Sequence, residues 1–96
     1  MRNRYVVAYD VRDPKRLRQT HRKMKGFGDS LQFSVFLCEL SAKEKVLLEE
    51  ALSEIINFKE DQVLVVDLGP VDGHRANAME ALGRQVLPRS REVVVV

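Results

Sequence analysis

Alternating apolar runs and helical periods predict an α+β sandwich of ferredoxin-like type, two helices laid on one sheet. Three observations carry this. Residues 4–11, 30–40 and 62–68 are rich in Val, Leu, Phe and Tyr and read as strands. The segments between them repeat apolar residues at helical spacing behind good capping residues, Asp13-Pro14 and Ser41-Ala42-Lys43-Glu44. No internal repeat or low-complexity linker interrupts the pattern, so residues 1–96 read as a single domain.

The first strand, residues 4–11, is β-branched, aromatic and almost continuously apolar, which suits a central position. Alternation puts Tyr5, Val7 and Tyr9 on one face and Val6, Ala8 and Asp10 on the other. The first helix is expected from Pro14 to about Lys25. Leu17, Thr20 or His21, and Met24 form its buried stripe, Asp13 its N-cap and Gly26 its C-cap, and Gly28 continues the turn. Residues 30–40 read as one bent strand or two short ones. The second helix should bury Leu47, Leu48, Ala51, Leu52, Ile55 and Ile56 and leave Glu44, Glu49, Glu50 and Glu54 in water. Residues 62–68 form the last clear strand, closed by Gly69-Pro70. Beyond it, residues 75–83 suggest a short helix with Met79 and Leu82 inward, and Pro88 breaks any element that would run through it. Val93–Val96 should dock as a strand, because four exposed valines invite aggregation.

The net charge is +2, but the charges are segregated. Residues 1–25 hold nine Lys or Arg and two Asp, whereas the remainder holds seven basic and twelve acidic residues. A positive face on an otherwise acidic body points to a polyanionic partner. Ten of the sixteen basic residues are Arg, which favours bidentate phosphate contacts. A small-molecule regulatory module of similar fold would need no such face. Cys38 is alone and suits a buried position in a chain of the reducing cytoplasm. No apolar stretch approaches the length of a membrane span, and no signal peptide is recognisable. Asp10, at a strand end beside the basic helix, could serve a hydrated metal ion and a phosphate, or could bond its own loop. Tyr9 could stack on a base or fill the core. Ser34 could donate to a phosphate or serve the strand ladder. His21 reads as a packing residue and His74 as a surface one.

Tyr9-Asp10-Val11-x-Asp13, then Arg16-x-Arg18, then Gly28-x-x-x-Gln32-x-Ser34-Val35-Phe36, resemble the small CRISPR-associated endoribonuclease family, the non-integrase subunits of the CRISPR adaptation complex. The motifs span residues 5–40, and the second helix and the strand after Asp61 are also similar. The resemblance implies a βαββαβ fold, with 30–40 split into two strands. It also implies a two-fold homodimer in which residues 86–96 add a strand to the partner's sheet. The strand-end aspartate of each protomer would then face its mate, a role that falls on Asp10. Tyr9, Arg16, Arg18 and Phe36 match further positions used in the family, with Phe36, Val93, Val94 and Val95 expected at the dimer interface. Arg12, Arg16, Arg18, Arg22, Tyr9 and Ser34 are the expected nucleic-acid contacts. Ser30 stands where some relatives carry Arg, which implies the loss of a phosphate or transition-state contact.

The function so implied is in spacer acquisition, as a metal-dependent endoribonuclease or endonuclease. Asp10 from two chains would share Mg²⁺ or Mn²⁺, which relieves their mutual repulsion, so that metal binding weakens as pH falls. The alternative is a non-catalytic dimeric scaffold that bridges integrase dimers and grips duplex backbone without reading sequence.

Overall fold

A computed structural model describes residues 1–73 and 79–84. The elements run β1 (Asn3–Asp10), α1 (Pro14–Met24), β2 (Gly28–Gln32), β3 (Val35–Leu40), α2 (Ala42–Ser53) and β4 (Gln62–Pro70). They form the expected βαββαβ sandwich. One antiparallel sheet has the order β2-β3-β1-β4, so β1 is central and β4 is an edge. Residues 30–40 divide at a turn through Phe33 and Ser34, giving β2 and β3.

Both caps form as their residue types dictate. The Asp13 side chain accepts from Arg16 N at 2.9 Å, with Pro14 in the first turn. Ser41 Oγ accepts from Glu44 N while Glu44 Oε1 accepts from Ser41 N, a reciprocal box. Lys25, not Gly26, caps the end of α1, and Gly26 does not take the left-handed conformation. Gly28 serves β2 rather than a turn. A Cβ there would fall on the Leu37 carbonyl and Cys38 Sγ, so only Gly lets the two strands approach.

Alternation along β1 decides the layering. Tyr5, Val7 and Tyr9 are buried with Met24, Phe36, Cys38, Leu40, Leu48 and Leu52 beneath the helices. Leu47 departs from the expected helix stripe and is 46% exposed. The opposite face of the sheet carries Val6 and Ala8, paired with Leu37 and Val35 on one side and with Val66 and Leu64 on the other. Nothing among the described residues covers that face, and Leu64 and Val66 stand about half exposed. After β4 the expectation fails in part: residues 79–84 are not helical, and Met79 and Leu82 are exposed rather than inward. So short a run has too few turns for periodicity alone to make it a helix. His74, Pro88 and Val93–Val96 lie outside the described residues.

Candidate active site

Asp10 ends β1 on the uncovered face of the sheet, two residues beyond Ala8. Its carboxylate is exposed and makes no side-chain hydrogen bond or ion pair among the described residues. The loop after it is the opposite. Asp61, just before β4, has a fully enclosed side chain and accepts four hydrogen bonds. These come from Arg12 N and Arg16 Nε, each at 2.9 Å, Arg16 Nη2 at 3.2 Å, and Asn57 N at 2.8 Å. The Arg16 contact, seconded by the two backbone amides, holds the Asp61 carboxyl well below the usual carboxylate range against the opposing effect of desolvation. Arg16 also reaches Glu60 at 3.1 Å.

Arg16, expected from the motif as a phosphate contact, here has its guanidinium bonded to Asp61 and Glu60, which ties α1 to the segment just before β4. Part of the charge asymmetry has the same origin. Arg2 pairs with Glu44 and Arg4 with Glu39, each at 2.8 Å, so these cations of the basic segment are also matched inside the fold. Arg12, Lys15, Arg18, Arg22, Lys23 and Lys25 remain exposed, without an ion pair among the described residues. Most of them lie on α1, where residues 15, 18, 22 and 25 form one stripe.

Of the two alternatives for Tyr9 the structure has the core one, with the residue 5% exposed. Its phenol lies 2.9 Å from His21 Nδ1 and donates to the Phe33 carbonyl at 3.2 Å. Burial pushes the phenol up to about 12. His21 thus packs in a satisfied position, as expected, and stacks on Phe33. Phe36 is wholly enclosed within one protomer, near Tyr9 and edge-on to His21. It leaves no surface for the interface expected of it, because its strand position points it under α1. Ser34 sits in the β2–β3 turn, and its carbonyl accepts from Tyr9 N at 3.1 Å. Ser30 is exposed and donates its hydroxyl to Gln32 O at 3.0 Å. Cys38 is a buried free thiol, pushed up to about 12 by desolvation.

One copy of this arrangement is a poor metal site. No group of three or more His, Cys, Asp or Glu side chains converges among the described residues. Asp13 and Asp61 are committed to backbone and guanidinium donors. A hydrated Mg²⁺ tolerates one or two carboxylates when phosphate and water complete its shell. The free carboxylate of Asp10 has the chemistry to supply one such ligand.

The Arg16–Asp61 tie joins residues 45 positions apart, and no local pattern announces it. The nearest signal is the Asn57 turn, whose Oδ1 accepts from Lys59 N and Glu60 N and so delivers Asp61 to the loop.

Residues 2–73 match the family model described as CRISPR associated protein Cas2. The chain is 38% identical to a CRISPR-associated endoribonuclease Cas2 of Geobacter sulfurreducens over 96 residues, the whole of both chains. It is 39% identical over 92 residues to a relative of the same description from Rhodospirillum rubrum, covering 96% of this chain and 89% of that one. The crystal structure of Streptococcus pyogenes Cas2 superimposes with a TM-score of 0.73 at 32% identity, over 83% of this chain and 99% of that one. A hypothetical protein of Thermus thermophilus superimposes with a TM-score of 0.77 at 28% identity, over 93% of this chain and all of its own.

Proposed function

As the chain belongs to the CRISPR-associated Cas2 protein family, we propose that it acts in spacer acquisition as a two-fold homodimer that cleaves phosphodiester bonds between two copies of Asp10. The observation that carries this reading is the placement of a free carboxylate on the uncovered apolar face of the sheet. Covering that face with a second copy would bury the remaining area of Leu64 and Val66, worth about 1 kcal/mol for each side chain. It would also bring a second Asp10 to the first.

The residues then divide the work. The Asp61 tie holds the Arg12 backbone and so fixes the loop that leaves Asp10. Arg18 and Arg22, with Arg12 at the loop, hold the nucleic-acid backbone through phosphate contacts. Mg²⁺ or Mn²⁺ held by the two carboxylates would supply Lewis-acid polarisation of the phosphate and a water of lowered pKa. The edge of β4 and the valines at 93–95 support strand exchange between protomers, and the acidic side of α2 offers a surface for an integrase subunit. The buried free thiol suits the cytoplasm.

The second reading, a non-catalytic scaffold that bridges integrase dimers, is favoured by Ser30. Its hydroxyl is bonded to Gln32 O, and the place offers no cation to a transition state. Incubation of the protein with single-stranded RNA and with duplex DNA, with and without Mg²⁺, beside Asp10→Ala separates the two. Metal-dependent cleavage lost in the variant, with loss of the heat of metal titration, supports the nuclease. Retained duplex binding without cleavage of either substrate supports the scaffold. Truncation before Val93 should weaken dimerisation; a truncated chain that still dimerises and binds the integrase would remove the tail from both roles.

A further inference from the structure

Phe33 stands in the turn between β2 and β3, 64% exposed. A ring so exposed ordinarily samples several rotamers, but this one is held. His21 lies flat against it, with ring centres 5.1 Å apart and planes inclined by 15°. His21 is itself fixed by the Tyr9 hydroxyl at 2.9 Å and by the edge of Phe36, ring centres 5.4 Å apart. The backbone beneath the ring is tied as firmly. The Phe33 carbonyl accepts from the Tyr9 hydroxyl, and the Ser34 carbonyl accepts from Tyr9 N. One ring face is therefore covered by the imidazole, and the other is presented to solvent.

The surroundings specify what such a ring would take. Arg18 lies three residues before His21 and Lys25 four after it, so both flank the imidazole on the same side of α1. Both are exposed and without an ion pair among the described residues. An aromatic face stacked on His21, with an Arg and a Lys one turn to either side of that His along the helix, suits a flat ring that carries phosphates on either side. In a duplex the base faces are already stacked on one another, so the matching ligand is an unpaired nucleobase.

We propose that Phe33 is a stacking platform for an unpaired base of a single-stranded nucleic acid, with Arg18 and Lys25 on the neighbouring phosphates. This deepens the nucleic-acid reading above and rests on it. The platform belongs to the side of the sheet that α1 covers, so a second copy seated on the opposite face leaves it accessible. It also lies at the Asp10 end of β1, because Ser34 bonds Tyr9 and Val35 pairs with Ala8. A strand stacked on Phe33 is thereby led toward Asp10.

The test uses the full chain with two probes: a short single-stranded RNA carrying one 2-aminopurine, and a DNA duplex of similar length. Binding and 2-aminopurine fluorescence are measured for the wild type, Phe33→Leu and Phe33→Trp, with a thermal melt of each. Stacking on wild type quenches the fluorophore. Phe33→Leu should weaken RNA binding about 5-fold or more and remove most of the quench, leave duplex binding within about 2-fold, and Phe33→Trp should restore both signals. Equal RNA affinity in wild type and Phe33→Leu, an equal loss on both probes, or no quench by wild type overturns the platform. The wild-type quench depends on no variant and so stands even if a substitution disturbs the fold. Failure of the wild type to bind either probe overturns the nucleic-acid reading itself, and this inference with it.

Discussion

Asp61 acts on a loop 49 residues away in sequence, through the backbone amide of Arg12. Its charged form is more stable folded than unfolded, because Arg16 and two backbone amides hold the carboxyl below its ordinary value. A group depressed in this way contributes stability above its unfolded pKa, near 4, and loses it as pH falls. The urea midpoint should therefore decline between about pH 5 and pH 2, and Asp61→Asn should flatten that decline while lowering the midpoint at neutral pH. Two arginines two residues apart should also separate. Arg18→Ala should reduce the slope of log affinity against log salt by about 1, the signature of one lost phosphate contact. Arg16→Ala should leave that slope unchanged and lower the urea midpoint, since its guanidinium is bonded to Asp61 and Glu60. The motif placed both residues correctly on α1, but spacing carries no information on which guanidinium finds a carboxylate across the fold.

At the scale of elements, most of the architecture was legible. The Asp13 and Ser41 caps, the two faces of β1 and the strand after Asp61 all follow from short-range chemistry. Ser41→Ala should cost about 1 kcal/mol, read as a lower midpoint in urea unfolding. Gly28 shows where local reading fails. It looks like part of a turn, yet its lack of a side chain serves a strand ten residues further on. Gly28→Ala must push β2 off β3 or shift Leu37 and Cys38, a loss of about 1–3 kcal/mol measurable by the same unfolding experiment. The division of residues 30–40 into two strands was legible from the family motif rather than from a turn signal, because Phe33-Ser34 is not a Gly-, Pro- or Asn-marked turn.

At the scale of the whole molecule, the sheet is covered on one side and open on the other. The open side carries apolar residues from β1, β3 and β4 and ends in Asp10. Leu64→Asp places a charge on that face, on its edge strand beside Ala8, without touching the core beneath the helices. The expected outcome is a folded monomer by sedimentation and circular dichroism, with the heat of Mg²⁺ titration lost although Asp10 is intact. A variant that stays dimeric and still binds the ion would show that the open face is not where two copies meet. The charge asymmetry also resolves at this scale. What looked like a single positive segment is partly matched by Glu39, Glu44, Glu60 and Asp61, and its exposed part is concentrated along α1.

The sequence by itself determined the order of elements, their caps, the inward face of β1 and the position of Asp10 at a strand end. Each of these depends on periodicity or on bonds between residues a few positions apart. Only the tertiary structure decided which side chains are available for function. Tyr9 and Phe36 became core because α1 lies over their face of the sheet, and Arg16 became a tie because β4 starts beside it. Phe33 gained a fixed ring because His21 arrives from another element. Burial and partner choice depend on distance in space, and strand pairing and helix packing set those distances between residues far apart in the chain.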